Sequence, residues 1–158
     1  MNVEMSKSAS IEERRAVINQ VIALLQSLCV VTQADFRNLL TKHPLANKLR
    51  LGEVLLKVRE VLPTVDVIRI NTPTTSSHKV FSFRYQFWVL YRDEPQCYEA
   101  VATALFNYLD NELFSLPKKR AHALLTMVLK DNGVKEEIAK ILHKRLDDAF
   151  RRLNKESK

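Results

Sequence analysis

Glycine is almost missing from this chain, with 2 in 158 residues. A phosphate-cradling Walker loop or a dinucleotide-binding turn needs several glycines where backbone approaches ligand, so both are excluded as usually built. Only 5 prolines accompany them, which argues against a low-complexity or disordered chain. No apolar run approaches the roughly 18–20 residues of a membrane span. The opening residues MNVEMSKSAS lack the apolar stretch of a signal peptide. The chain is therefore expected inside the cell, in the nucleus if the source is eukaryotic and otherwise in the cytoplasm, and a membrane is the weakest partner reading, limited to peripheral attachment of the last helix to an anionic surface. Cys29 and Cys97 have no metal-like spacing and sit among apolar neighbours. They are read as reduced packing residues rather than as a disulfide or a nucleophile. HExxH and GxSxG are absent, His43, His78, His122 and His143 show no ligand spacing on a shared face, and the acids are scattered. These absences predict a non-enzymatic protein without metal or cofactor.

Hydrophobic residues make up 46% of the chain, enough for one domain with a core or two small ones sharing an interface. The net charge of +7 is unevenly placed. Residues 1–116 hold 13 Lys/Arg against 12 Asp/Glu, whereas residues 117–158 hold 12 against 6, a net +6. The positive field thus belongs to the last quarter, where it attracts phosphate polymers, anionic surfaces or acidic proteins without choosing among them.

Residues 1–9 read as a mobile lead-in. Ser10 and Glu13 fit a capping box, opening a helix over about 11–28 with Ile18, Val21, Ile22, Leu25 and Leu28 as its buried stripe. Val30 and Val31 suit one bridging strand. Thr32 with Asp35 marks a second cap, and the helix over about 33–42 buries Phe36, Leu39 and Leu40 until Pro44 stops it. A third helix is expected from 46–48 to Pro63. Leu51, Leu55, Val58 and Leu62 fall in a narrow arc, and Val54 and Val61 widen it into a core face. The opposite face holds Leu49, Gly52, Glu53, Leu56 and Glu60. The period then changes to two, predicting strands over 65–70 and 80–90. Phe81, Phe83, Tyr85, Phe87 and Val89 share one strand face, which Ile68 and Ile70 should meet, leaving Arg69 beside Arg84 outside. Residues 71–79, with Thr74, Thr75, Ser76, Ser77, His78 and Lys79, suit an exposed tip.

Three more helices follow. One over about 95–114 turns Val101, Ala102, Leu105, Leu109 and Leu113 inward. After Pro117 the next buries Ala121, Leu124, Leu125, Val128 and Leu129 until Asn132 and Gly133 end it. The last, about 134–153, buries Ile138, Ile141, Leu142, Leu146, Ala149 and Phe150, and the tail should fray.

Helix, short strand, helix, helix, strand, wing, strand over about residues 10–90 resembles the winged-helix superfamily, in element order rather than in any signature. The expected architecture is α+β and mostly helical: a winged helix at 10–92, a basic three-helix unit at 93–155 packed on it, and flexible ends at 1–9 and 156–158. Many members of that superfamily bind DNA through the third helix and the wing, and others bind proteins, so the resemblance implies a binder.

The third helix is a poor base reader, since Glu53 and Glu60 repel a groove and Leu49 with Leu56 wants an apolar partner. Nucleic-acid contact is therefore assigned to cations: Lys118, Lys119 and Arg120 at a helix start, and Lys140, Lys144, Arg151 and Lys155 along one stripe diluted by Asp147. Lys79, Arg69 and Arg84 supply the wing contribution. The alternative is a protein–protein adaptor, or a homodimer, using Leu49, Glu53, Leu56, Glu60 and Trp88. On that stretch the competing reading is that the C-terminal helices cover Leu49 and Leu56 within the chain. The alternating aromatics read as core, not as base-stacking rings, with Trp88 on the other face as a docking mark.

Overall fold

Cys29 has a backbone φ of 72°, and the first helix stops there. The computed structural model describes residues 3–71 and 86–156, with side chains described over 10–71 and 86–154. The elements run α1 (Val3–Leu28), β1 (Val30–Thr32), α2 (Gln33–Lys42), α3 (Leu51–Val61), β2 (Val65–Asn71), β3 (Gln86–Arg92), α4 (Tyr98–Phe114), α5 (Lys118–Asp131) and α6 (Glu136–Glu156). The fold is α+β and mostly helical, with a small three-stranded antiparallel sheet ordered β1-β3-β2. No described helix is long and apolar enough to cross a membrane. The chain divides into two compact units. The first is Met1–Val67 with Val89–Cys97, and the second is Ile68–Trp88 with Tyr98–Lys158. The sequence places one boundary at 92/93. The observed division instead cuts after Cys97 and gives the end of β2 and the start of β3 to the second unit.

In the first unit, α1 is longer than expected. It begins at Val3, so residues 3–9 are helical rather than a loose lead-in. Ser10 and Glu13 are then mid-helix and do not form a cap. The Ser10 hydroxyl donates instead to Leu45 O at 3.0 Å. Val17, Val21 and Leu25 are fully buried at four-residue spacing, whereas Leu28 is exposed, a stripe rotated from the expected one. The helix closes with Cys29 N–H on Leu25 O at 3.1 Å, an αL cap that a non-glycine residue adopts at a cost of about 1–2 kcal/mol.

β1 pairs with β3 through Val30↔Tyr91, Val31↔Leu90 and Thr32↔Val89. The Thr32–Asp35 capping box is made as expected: Thr32 N–H donates to Asp35 Oδ2 at 3.0 Å and Asp35 N–H to Thr32 Oγ1 at 3.1 Å. The third helix starts later than expected. Pro44–Ala46 forms a 3-10 turn and Arg50 is extended, so helical geometry begins only at Leu51. Val54 and Val58 are its buried pair, while Val61 is 55% exposed instead of widening the core face. Arg59 joins α3 to β2, donating from Nε to Val65 O at 2.9 Å and pairing with Asp66 at 3.0 Å.

Cys29 and Cys97 form a disulfide, which corrects the reading of both as free packing thiols. They are 68 residues apart in sequence, but the end of α1 and the segment after β3 bring their Cα atoms to 5.4 Å. Beside them Arg92 Nη1 donates at 3.3 Å to Leu25 O, which also accepts from Cys29 N–H, and at 3.1 Å to Gln26 O, placing a cation at the negative end of α1. The same guanidinium meets Glu94 twice, at 3.0 and 3.1 Å, and Thr64 Oγ1 donates to Glu94 at 2.9 Å.

The second unit packs α4, α5 and α6 against one another. Every side chain expected to turn inward from α4 and α5 is buried, as are Ile138, Leu142 and Leu146 of α6. Each such leucine contributes about 1.5–3 kcal/mol by leaving water. α5 ends in a Schellman arrangement, with Val134 N–H on Leu129 O at 2.9 Å and Gly133 at φ 67°, where glycine carries no Cβ penalty. Asn132 accepts from Asn71 N–H at 3.1 Å and donates to Val128 O at 2.8 Å, tying the end of β2 to the end of α5. Phe87 of β3 stacks on Tyr108 of α4, with centroids 4.2 Å apart. Arg145 of α6 pairs with Glu99 of α4 at 2.7 Å. Helical geometry in α6 runs to Glu156, past the residue where fraying was expected. Phe81, Phe83, Tyr85 and the loop tip, for which the sequence predicts a strand face and an exposed turn, lie outside the described residues.

Two outcomes follow for the first unit. Replacing Cys29 and Cys97 by serine, or adding reductant, is expected to lower unfolding stability by about 2–5 kcal/mol, since the bond closes a long loop; a melting temperature indifferent to reductant would count against it. The hydrogen bonds from Arg92, and then from Thr64, hold the Glu94 carboxyl below its ordinary pKa of 4.5. Its contribution is therefore complete above about pH 4.5 and is lost as pH falls through the lower folded value. Acid titration of unfolding should show that loss in the wild type, and Glu94→Gln should flatten it.

Candidate functional site

α5 begins with cations. Pro117 occupies its N-cap with extended geometry and no side-chain cap, and its first turn carries no acid. The positive end of a helix dipole ordinarily favours acids there and disfavours Lys and Arg by about 0.3–1 kcal/mol each. Lys118, Lys119 and Arg120 nevertheless occupy that turn, all exposed, with Ala121 already buried behind them. No ion pair engages them among the described residues.

Phe114 ends α4 immediately before the Ser115–Pro117 break. Its ring lies edge-on to Phe106 at 5.9 Å and tilted to Phe150 of α6 at 5.4 Å. The start of α5 and the last turns of α6 therefore share one end of the three-helix unit. A notch of about 370 Å³ opens there, lined by Phe114, Ala149, Arg152 and Leu153. Arg151 and Arg152 are exposed beside it, Arg151 facing Asp148 at 3.6 Å. Lys144 and Lys140 are exposed further back along α6, about 9 and 15 Å of helical rise from Phe150. Lys155 lies on the same helix, its side chain outside the described set. Arg69 is exposed on β2, while Lys79 and Arg84 lie outside the described residues. All ten of the proposed phosphate contacts belong to the second unit. That unit holds 15 Lys/Arg against 9 Asp/Glu, compared with 10 against 9 in the first.

The proposed protein-binding face sorts differently. Leu49 is 5% exposed, not on an open helix face, because it precedes α3 and tucks in beside α1. Leu56 is 69% exposed. Between α1 and α3 lies a groove of about 370 Å³, lined by Ile11, Arg14, Ile18, Leu49, Glu53 and Leu56 among others. Ile11, Arg14 and Ile18 of α1 line that groove together with Leu49. Glu53 is held by Arg14 at 3.1 Å, and Glu60 lies 3.9 Å from Lys57, both pairs well exposed and worth little. Trp88 is half-buried in the second unit and has interactions of its own.

Two arrangements escaped the sequence reading. Phe114 and Arg152 were not singled out, although an aromatic placed directly before a helix break and three cations is a usable signal. His122 and His143, 21 positions apart, come together across α5 and α6 with ring centroids at 4.7 Å. Thr126 Oγ1 lies 2.9 Å from His143 Nε2, and His143 Nδ1 lies 3.0 Å from Ala139 O. No cluster of three or more potential metal ligands occurs among the described residues. No protein-family model matches the chain, and neither does any curated protein or solved structure.

The contrast between the two leucines is checkable. Leu56→Glu is expected to fold with stability within about 0.5 kcal/mol of wild type, whereas Leu49→Glu should lose several kcal/mol or fail to fold. Chemical unfolding of both variants reads the difference, and equal behaviour would contradict the placement of these side chains.

Proposed function

We propose that this chain is a non-enzymatic, nucleic-acid-binding subunit of a nucleic-acid-handling assembly in transcription, replication or RNA processing. The reading takes residues 10–92 as a winged helix, on the element order α1-β1-α2-α3-β2-β3. Contact with phosphates falls to the cations of the second unit. The observation that carries it is the exposed Lys118, Lys119 and Arg120 at a helix start with neither an acidic first turn nor an ion-pair partner among the described residues. Lys140, Lys144 and Arg151 extend that surface along α6, Lys155 continues its stripe, and Arg69, Lys79 and Arg84 would add contacts from the strand side. Base-specific reading is weak in this proposal, because the middle of α3 presents Glu53, Leu56 and Glu60. On this reading the protein works inside the cell, in nucleus or cytoplasm. There the thiol pool would hold Cys29 and Cys97 reduced wherever it reaches them, and the bond would mark oxidising conditions.

A second reading rests on a different observation. Leu56 at 69% and Ile11 at 49% exposure flank the α1–α3 groove. An adaptor would seat an apolar partner segment, or a second copy of the chain, on that face. Light scattering of the Leu56→Glu variant tests it, through loss of a dimer or partner from a protein that remains folded.

Counterion release tests the leading reading. Affinity for a labelled duplex or RNA should fall steeply between low and physiological salt. Replacing Lys118, Lys119 and Arg120 together by glutamine should weaken binding across sequences and reduce the log–log salt slope on duplex by about 3. Binding undetectable even at low salt would sink the proposal.

A further inference from the structure

The end of the second unit that carries the free cations also carries an apolar notch, and we infer that this notch takes an unpaired nucleobase, so that the ligand of the basic surface is single-stranded nucleic acid. The inference rests on the phosphate-gripping reading above and adds to it the state of the strand.

Three features meet at this place. Phe114 is 37% exposed and Leu153 46%, although both neighbour a well-buried core. Neither ring contact of Phe114 is a parallel stack: Phe106 meets it at 73° and Phe150 at 60°. The notch holds about 370 Å³, at the lower end of the 300–1,000 Å³ usual for small-ligand sites, and its floor is Phe114, Ala149 and Leu153. Arg152 also lines it, and its planar guanidinium can lie on a π-face or pair with a phosphate. Lys118 follows Phe114 by four residues, so their Cα atoms are no more than about 14 Å apart. The site thus offers an apolar bed for something flat, with Arg152 lining it and Lys118 within about 14 Å of Phe114 along the chain for something anionic. That pairing of chemistries is what one nucleotide of a single strand presents: a base with two π-faces, joined to phosphates. In a duplex the base faces are already covered by their stacked neighbours, and only backbone and edges are offered. Cations alone would accept either form; the added apolar bed selects the unpaired one.

The test uses the whole chain, a fluorescent ten-residue deoxyadenosine strand, a sixteen-base-pair duplex and vesicles containing phosphatidylserine, each at low and physiological salt. Phe114→Leu keeps an apolar side chain against Phe106 and Phe150 but removes the π-face, and Phe114→Trp restores one. The leucine variant is expected to bind the single strand about tenfold more weakly while its duplex affinity stays within about twofold. The tryptophan variant should recover the single-strand affinity. Circular dichroism and a melting curve establish that each variant is folded, and an unfolded leucine variant transfers the test to Phe114→Trp and Arg152→Gln. Wild-type affinity for the single strand in the folded leucine variant would overturn the inference, as would an equal loss on strand and duplex. In either case the phosphate-gripping reading survives if the Lys118–Arg120 glutamine variant weakens binding to both oligonucleotides. Binding to vesicles but to neither oligonucleotide would remove both, and assign the notch to lipid.

Discussion

Cys29 sits in the left-handed region at the end of α1, joined through its sulfur to Cys97 and through its carbonyl to the amide of Arg92. Three things are settled at once by that residue. The chain turns from α1 into β1 without a glycine. The exit of β3 is held against the helix end, and the Arg92 side chain is delivered to the carbonyls of Leu25 and Gln26. Glu94 then completes the arrangement by balancing the guanidinium, and Thr64 holds Glu94 in turn. The register of β1 on β3 follows, since Val30 must face Tyr91 once Cys29 and Arg92 are fixed.

The two units treat charge in opposite ways. In the first, Arg14, Arg59 and Arg92 each meet a carboxylate contributed by another element or by the adjoining turn. Its small net charge is consumed in holding elements to one another. In the second, Arg145 of α6 pairs with a carboxylate on a neighbouring helix. Lys118, Lys119 and Arg120 stand exposed at a helix end whose dipole opposes them, and Lys140, Lys144 and Arg151 are exposed along α6. Positive charge that contributes nothing to its own fold costs some self-repulsion, which is a reason to look for an anion outside the chain.

Local rules carried far into this structure, and failed where distance in space departs from distance in sequence. Thr32 and Asp35 are three positions apart, so their reciprocal cap was legible, and so were the apolar periods that bury Leu105, Leu109, Leu125 and Leu142. Glycine at 133 ended α5 for the anticipated reason. Ser10 and Glu13 satisfy the same cap pattern but lie inside a helix that had already begun, and a pattern cannot reveal that. Leu49 was assigned to an exposed face by counting 100° per residue from a helix start three to five residues too early. The disulfide and the His122–His143 contact depend on which helix ends adjoin, and no spacing in the sequence encodes this. A helix-final aromatic such as Phe114 reads as core until its ring neighbours are seen to meet it edge-on and tilted rather than stacked.

Each unit draws on two separated stretches of chain, and this has a consequence for synthesis. On a ribosome adding about 5–20 residues per second, the 68 positions that separate Cys97 from Cys29 take roughly 3–14 s to appear. Throughout that interval α1 has emerged with its apolar stripe formed but with neither its staple nor the strand that β1 pairs with. The second unit waits still longer, because Phe87 has no stacking partner until Tyr108 emerges. The nascent chain must therefore carry open apolar surface for seconds, and the burden of shielding it falls on whatever meets the polypeptide at the exit tunnel.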